Sequence, residues 1–231
     1  MKSNMGVSVA VRGCECAKPA LGLSQRTLRS MVEPQRFLLF LFVLVLTSSL
    51  HAQLMEAVAL DSMRTYRSLE KALENPDQVY RLDLSGQKLK EVPEGVFRLK
   101  NLNALDLSNN KLKELPERLR ELKFLQEIRA SKNKLAAVPK GFCELTHLKR
   151  LDLSRNALTG LPQCVGAFTE LVSLDLWDND LADFPEEMAD MQALRYLDLR
   201  AIQFEVPEME HLQSLLPSTR IFFSQPCNCG M

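Results

Sequence analysis

Leu102-Asn-Ala-Leu105-Asp-Leu107-Ser-Asn-Asn110-Lys-Leu112-Lys-Glu-Leu115-Pro116-Glu-Arg-Leu119-Arg-Glu-Leu122 decides the fold. The same order of leucines, one asparagine and a leucine-proline step returns every 23 residues, with copies beginning at Val79, Leu102, Leu125, Leu148, Leu171 and Leu194. A fixed period of this size marks a solenoid, in which each copy is one coil too small to bury its apolar face alone.

Within a copy, Leu105 and Leu107 alternate with Ala104, Asp106 and Ser108, the period of a strand. Stacked copies therefore predict a parallel sheet with one short strand per coil. Asn110 and its equivalents Asn133, Asn156 and Asn179 fall where the chain turns. A buried amide offers two donors and an acceptor, which suits a corner where backbone groups lose their partners. Leaving one such group unpaired costs about 1–3 kcal/mol. Gln87 stands at this place in the first copy and Ile202 in the last, so the ladder fades at both ends. Pro116, Pro139, Pro162 and Pro185 lie on the return segment, where a missing N–H does no harm, and the Leu119 and Leu122 positions predict a short helical or 3₁₀ turn on the outer side. The third copy carries Arg129-Ala130 in place of Asp-Leu, which predicts a thinner core there, and the sixth is one residue short at Pro207.

The pattern over residues 79–207 closely resembles the leucine-rich repeat family, in its 23-residue leucine-proline class. That resemblance implies an α/β fold: a curved leucine-rich repeat solenoid, a short parallel sheet on its concave side and helical caps at its ends. It also implies non-enzymatic binding of a protein partner through the concave face. An export leader with few repeats is similar to exported bacterial members of the family.

Around the repeats, the chain divides into a first 30 residues without periodicity, a leader over 31–52, an N-terminal cap over 53–78, and a C-terminal cap and tail over 208–231. The first stretch reads as an unstructured extension or as a mis-assigned start with Met31 as initiator. Arg36 followed by the apolar run from Phe37 to Leu46 and a small-residue site at Ala52 is the pattern of a secretory signal peptide. Ten apolar residues are half of what a membrane span needs, so export without a stable span is expected, with cleavage after Ala52. Thr65 to Asn75 reads as a helix capped by Ser68 or Thr65 and ended by Pro76. A terminal cap with a polar outer face is what an exposed hydrophobic stack end requires. At the other end Glu208 to Pro217 reads as a short helix and Arg220 to Phe223 as a last strand.

Apolar residues make up 46% of the chain and aromatics only 6%, so the interior is chiefly leucine. Residues 1–52 hold six of the 29 basic and two of the 29 acidic residues, which leaves the remainder at −4 and argues against nucleic acid as a partner. The absence of an Asn-x-Ser/Thr acceptor fits a bacterial source. An exported chain favours disulfides. Cys143 and Cys164 lie 18 and 16 residues into consecutive copies, however, and these unequal offsets weigh against a bridge between them. Cys14-Glu-Cys16 and Cys227-Asn-Cys229 lack the neighbouring His or Asp of a metal site.

Catalysis finds little support. His51 lies in the leader, His147 on an outer turn and His211 in the cap, and repeat geometry is expected to bring none of them a nucleophile or a carboxylate. Asp178-Asn-Asp180-Leu-Ala-Asp183 lacks the glycine and terminal glutamate of a calcium loop, and no phosphate-cradling glycine loop occurs. The sequence thus implies no enzyme, no cofactor and no metal. The aspartate column (Asp83, Asp106, Asp152, Asp175, Asp198) reads as scaffold. Trp177, the chain's one tryptophan, stands in a column otherwise made of Ser85, Ser108, Ser131, Ser154 and Arg200. With Lys149, Arg150, Arg155, Asp178, Arg195, Tyr196 and Arg200 nearby, it has the composition of an interface hot spot. The expected partner is a protein bound by a monomer. A carbohydrate or other cell-surface ligand stacked on Trp177 is the alternative, as is an intracellular adaptor role if the leader is not used.

Overall fold

A computed structural model describes residues 57–224, so the leader, the start, both Cys-x-Cys pairs and His51 lie outside the described residues. Each copy lays down one short strand because its Leu-x-Leu pair is driven inward: Leu105 and Leu107 are 1% and 0% exposed. The strands are β1 (Thr65–Tyr66), β2 (Arg81–Asp83), β3 (Ala104–Asp106), β4 (Glu127–Arg129), β5 (Arg150–Asp152), β6 (Ser173–Asp175), β7 (Tyr196–Leu199) and β8 (Arg220–Phe223). They pair in parallel and in chain order, in one open sheet. From β2 to β7 the register is the repeat itself, Leu82 beside Leu105, Ile128, Leu151, Leu174 and Leu197. Because the pairing step equals the sequence period, every inward side chain stacks on its own equivalent, and the core is one continuous leucine-rich column.

The corner asparagines join the coils. Asn110 donates from Nδ2 to the carbonyls of Leu84 and Leu107, both at 2.9 Å, and accepts from the Leu89 N–H at 3.0 Å. Asn133, Asn156 and Asn179 repeat this set one coil further on. Gln87 manages one such bond, to the Arg67 carbonyl. The residue before each asparagine is left-handed, at φ 56° for Asn109, 55° for Lys132, 54° for Arg155 and 58° for Asp178. The aspartate column is scaffold: Oδ1 of Asp83, Asp106, Asp152, Asp175 and Asp198 each accepts the N–H two residues on and so starts the corner. Asp175 lies between Asp152 and Asp198, and burial is the main cause that lifts its carboxyl above the usual range. The Trp177 N–H opposes this, while the two flanking carboxylates add to it.

Proline opens each outer turn. Pro93, Pro116, Pro139, Pro162 and Pro185 hold extended backbone, and their carbonyls accept the N–H three residues on to begin 3₁₀ turns at 94–98, 117–121, 140–144, 163–167 and 186–190. In the third coil the short side chain of Ala130 is accompanied by a larger one. Phe142, fully buried, takes the place held by Leu119 in the coil before.

Three expectations need correction. Thr65 and Tyr66 do not begin a helix: they pair with Arg81 and Leu82 as β1. An open sheet edge presents unpaired backbone groups, and closing it outweighs the helical preference of a short segment. The helices here are α1 (Ala57–Ser62) and α2 (Leu69–Leu73), the latter capped by Ser68, whose Oγ accepts the Lys71 N–H at 3.4 Å. The last helix, α3 (Val206–Leu215), begins two residues before the expected Glu208. Its first turn tolerates Pro207, and Glu205 and Glu208 form a reciprocal capping box.

The third correction concerns Cys143 and Cys164, which form a disulfide with Cα atoms 5.8 Å apart. Unequal offsets permit it because neighbouring outer turns meet on a diagonal. The fourth residue of the turn 140–144 faces the second of the turn 163–167, and Lys100–Glu121 and Lys123–Glu144 span the same diagonal at 3.2 Å each. Closing a loop with a separation of 21 residues contributes about 3 kcal/mol in the chain-entropy account.

Replacing Asn110 by Ala strands buried backbone groups and is expected to lower unfolding free energy by about 3 kcal/mol in urea titration, against less than about 1 kcal/mol for Gln87→Ala. Asp175 keeps its proton to higher pH when folded than when unfolded, so ionising it costs stability as pH rises from the ordinary carboxyl range through the raised folded value. Asp175→Asn is therefore expected to be more stable than the parent at neutral pH, with the difference closing in acid, as read by thermal midpoints across pH.

Candidate protein-recognition surface

Strand alternation leaves three outward columns on the sheet. The first runs through Arg81, Ala104, Glu127, Arg150, Ser173 and Tyr196, the second is the aspartate column, and the third is the serine column that Trp177 interrupts. Trp177 is 37% exposed, far more than any inward residue of its strand. Its N–H donates to Asp175 Oδ1 at 3.0 Å and its carbonyl accepts the Arg155 N–H at 2.7 Å. The Arg155 guanidinium lies 5.4 Å from the indole centroid and pairs with Asp178 at 3.6 Å. In the next coil Arg200 is held by both oxygens of Asp198, which keeps its guanidinium above the ordinary range.

The eight residues singled out from the sequence do not form one cluster. Trp177, Arg155, Asp178 and Arg200 gather where the strands run into the corners. Tyr196, Arg150, Lys149 and Arg195 lie at the strands' beginnings. Tyr196 is level with Ser173, and Trp177 lies four residue steps past Ser173 along extended chain, roughly 13 Å. The aspartate column runs between the groups. In the second group Tyr196 is 51% exposed, and its N–H donates to the carbonyl of Val172, itself 37% exposed. Arg150 is bound to Glu127 at 2.7 Å, and Arg195 is turned onto the carbonyls of Gln192 and Leu194.

Two features of this face were not read from the sequence. Glu127 is buried, with its carboxylate clasped by Arg129 at 2.6 Å and Arg150 at 2.7 Å. Ala104, the smallest side chain in its column, leaves a depression of about 200 Å³ whose rim includes Arg67, Arg81, Asp83 and Arg129. The alanine was the available signal for it.

The expectation that the histidines lack carboxylate neighbours is also corrected. His147 Nδ1 lies 3.1 Å from Glu170 Oε1, and His211 Nε2 lies 2.9 Å from Glu186 Oε1. The first pair joins the segments that follow the outer turns 140–144 and 163–167, and the second joins α3 to the turn 186–190. Among the described residues no three His, Cys, Asp or Glu side chains converge to hold a metal ion. No described helix is long and apolar enough to cross a membrane.

The family described as "Leucine-rich repeat region" matches residues 83–220. No curated protein matches the chain. Among solved structures, the chain is similar to a leucine-rich repeat protein of Leptospira interrogans, with 33% identity, a TM-score of 0.58, and coverage of 71% of this chain and 47% of that one. Internalin C2 of Listeria monocytogenes shares the fold at 21% identity and TM-score 0.52, over 64% of this chain and 62% of that one. The ectodomain of the Arabidopsis thaliana receptor kinase GASSHO1/SCHENGEN3, solved with Casparian strip integrity factor 2, is 28% identical with TM-score 0.52, over 64% of this chain and 19% of that one. The chain thus spans less than two thirds of the length of each. With the repeat match covering more than half of its residues and each repeat built as one parallel strand per coil, the chain belongs to the leucine-rich repeat family.

Proposed function

We propose that this chain is a non-enzymatic recognition module that binds a protein partner through its sheet face, with Trp177 as the anchor. The observation that carries this reading is the exposed indole in a column of serines, with one arginine beside the ring and another in the next coil. Aromatic and arginine side chains dominate the energetics of protein interfaces. Tyr196 and Val172, about 13 Å along the strands, supply a second apolar contact, which is a separation a protein surface spans and a single sugar ring does not. The Arg155 guanidinium near the indole also favours a protein partner over a saccharide stacked on that ring.

The module acts outside the cytoplasm, as the leader implies. A disulfide between consecutive coils supports this, since such bonds persist in oxidising compartments. Intact-mass measurement of the mature chain with cell fractionation tests it: an exported species beginning at Gln53 is expected, one that retains the leader at the membrane is an uncleaved anchor, and one that stays in the cytoplasm makes the protein an intracellular adaptor.

Trp177→Ala is expected to weaken capture of the native partner from an envelope extract by about 30-fold or more, with an unchanged thermal midpoint. Unchanged affinity sinks the assignment of Trp177. Binding to a glycan array that is lost with Trp177→Ala, without any captured protein, would transfer the surface to carbohydrate.

A further inference from the structure

Cations on the sheet face and the outer turns mostly meet an acid. Arg129 and Arg150 hold Glu127, Arg200 holds Asp198, Lys100 reaches Glu121 and Lys123 reaches Glu144. The edge joining the strands to the outer turns differs. Lys88, Lys90, Lys111, Lys113, Lys132 and Lys134 are all exposed there, and their side chains make no ion pair or hydrogen bond among the described residues.

The repeat stacks these charges. Lys88, Lys111 and Lys134 hold the same place in three successive coils, since Lys111 N–H donates to Leu89 O and Lys134 N–H to Leu112 O, both at 2.8 Å. Successive lysines therefore start roughly 5 Å apart, the spacing of neighbouring strands. Leu89 and Leu112 turn toward the core between them, so Lys90 and Lys113 share the outward side. The three segments 86–91, 109–114 and 132–137 hold six lysines against two glutamates. The patch ends after the third coil: in the fourth, Ala157 takes the lysine place and Arg155 pairs with Asp178, and in the fifth the segment has Asp178, Asp180 and Asp183 and no cation. Like charges in register that outnumber the acids beside them three to one repel one another and favour a partner that supplies the anions.

Composition narrows that partner. Among the described residues the large exposed hydrophobics are Val172, Trp177, Tyr196 and Val206, none of them on this stretch. Protein interfaces are depleted in lysine and anchored by aromatics, single-stranded nucleic acid is held by aromatic stacking, and membrane-surface segments insert apolar side chains. A row of lysines alone suits a ligand that offers little besides charge. We propose that this lysine edge binds a linear anionic polysaccharide, with its sulfate or carboxylate groups laid across the first three coils.

The test uses the full chain and a heparin oligosaccharide in calorimetry at about 0.15 M salt. Saturable binding that weakens as salt rises is expected, falling about tenfold or more in Lys111→Glu/Lys134→Glu and staying within about twofold in Lys71→Glu/Lys140→Glu, which changes net charge equally. Thermal midpoints check that both variants fold, and Trp177→Ala is expected to keep heparin affinity. Equal losses in the two double variants overturn the proposal, as does the absence of saturable binding. Tighter binding to phosphatidylserine vesicles or to a polyglutamate peptide than to heparin overturns it as well.

Discussion

At every corner between β3 and the fifth coil, an asparagine amide donates to one carbonyl of its own coil and to one of the coil before, while its oxygen accepts an N–H from that earlier coil. The chain must reverse there with its backbone groups turned inward, where water cannot reach them and leucine offers nothing. One side chain satisfies three of those groups and joins two coils in doing so. The left-handed residue before the amide and the aspartate that starts the corner fit the same geometry. At the sixth corner, where Ile202 stands in place of the amide, the Ala201 N–H donates to Ser224 Oγ just past β8 at 2.6 Å, while the equivalent Asp178 N–H one coil earlier donates to the Arg200 carbonyl.

This constraint also prepares the proposed recognition surface. The Trp177 backbone is fixed by Asp175 on one side and by Arg155 and Asn179 on the other. The exposed indole thus stands on a backbone with little freedom left to lose, which lowers the ordering cost of binding. In the proposed reading, function is carried by positions that the repeat leaves unassigned, on a frame whose other positions are committed to folding.

The repeat was legible because a side chain that must stack on its own equivalent has to recur at a constant interval. Leu105, Asn110 and Pro116 are all of this kind. What was not legible depends on relations between unlike positions. Cys143 and Cys164 meet on a diagonal that the period does not display. Thr65 and Tyr66 joined the sheet because of an edge elsewhere in the chain, not because of their own preference. Strand direction divided one proposed cluster into two, since a residue count groups Trp177 with Tyr196 and the register separates them. The contact of His147 with Glu170 is different: the two are one period apart, and stacking alone was enough to find it.

In a stack where each coil touches only its neighbours, opening begins at an end and travels inward. The covalent tie between the third and fourth coils halts such fraying from either direction. Trp177 belongs to the fifth coil, beyond that staple. Its hold on the fold therefore rests on α3, β8 and the packing of Phe204 against Phe184 and Phe223, at 5.6 and 5.9 Å. The indole rides on the half of the array that is free to loosen, and the C-terminal aromatic clasp decides how often it does.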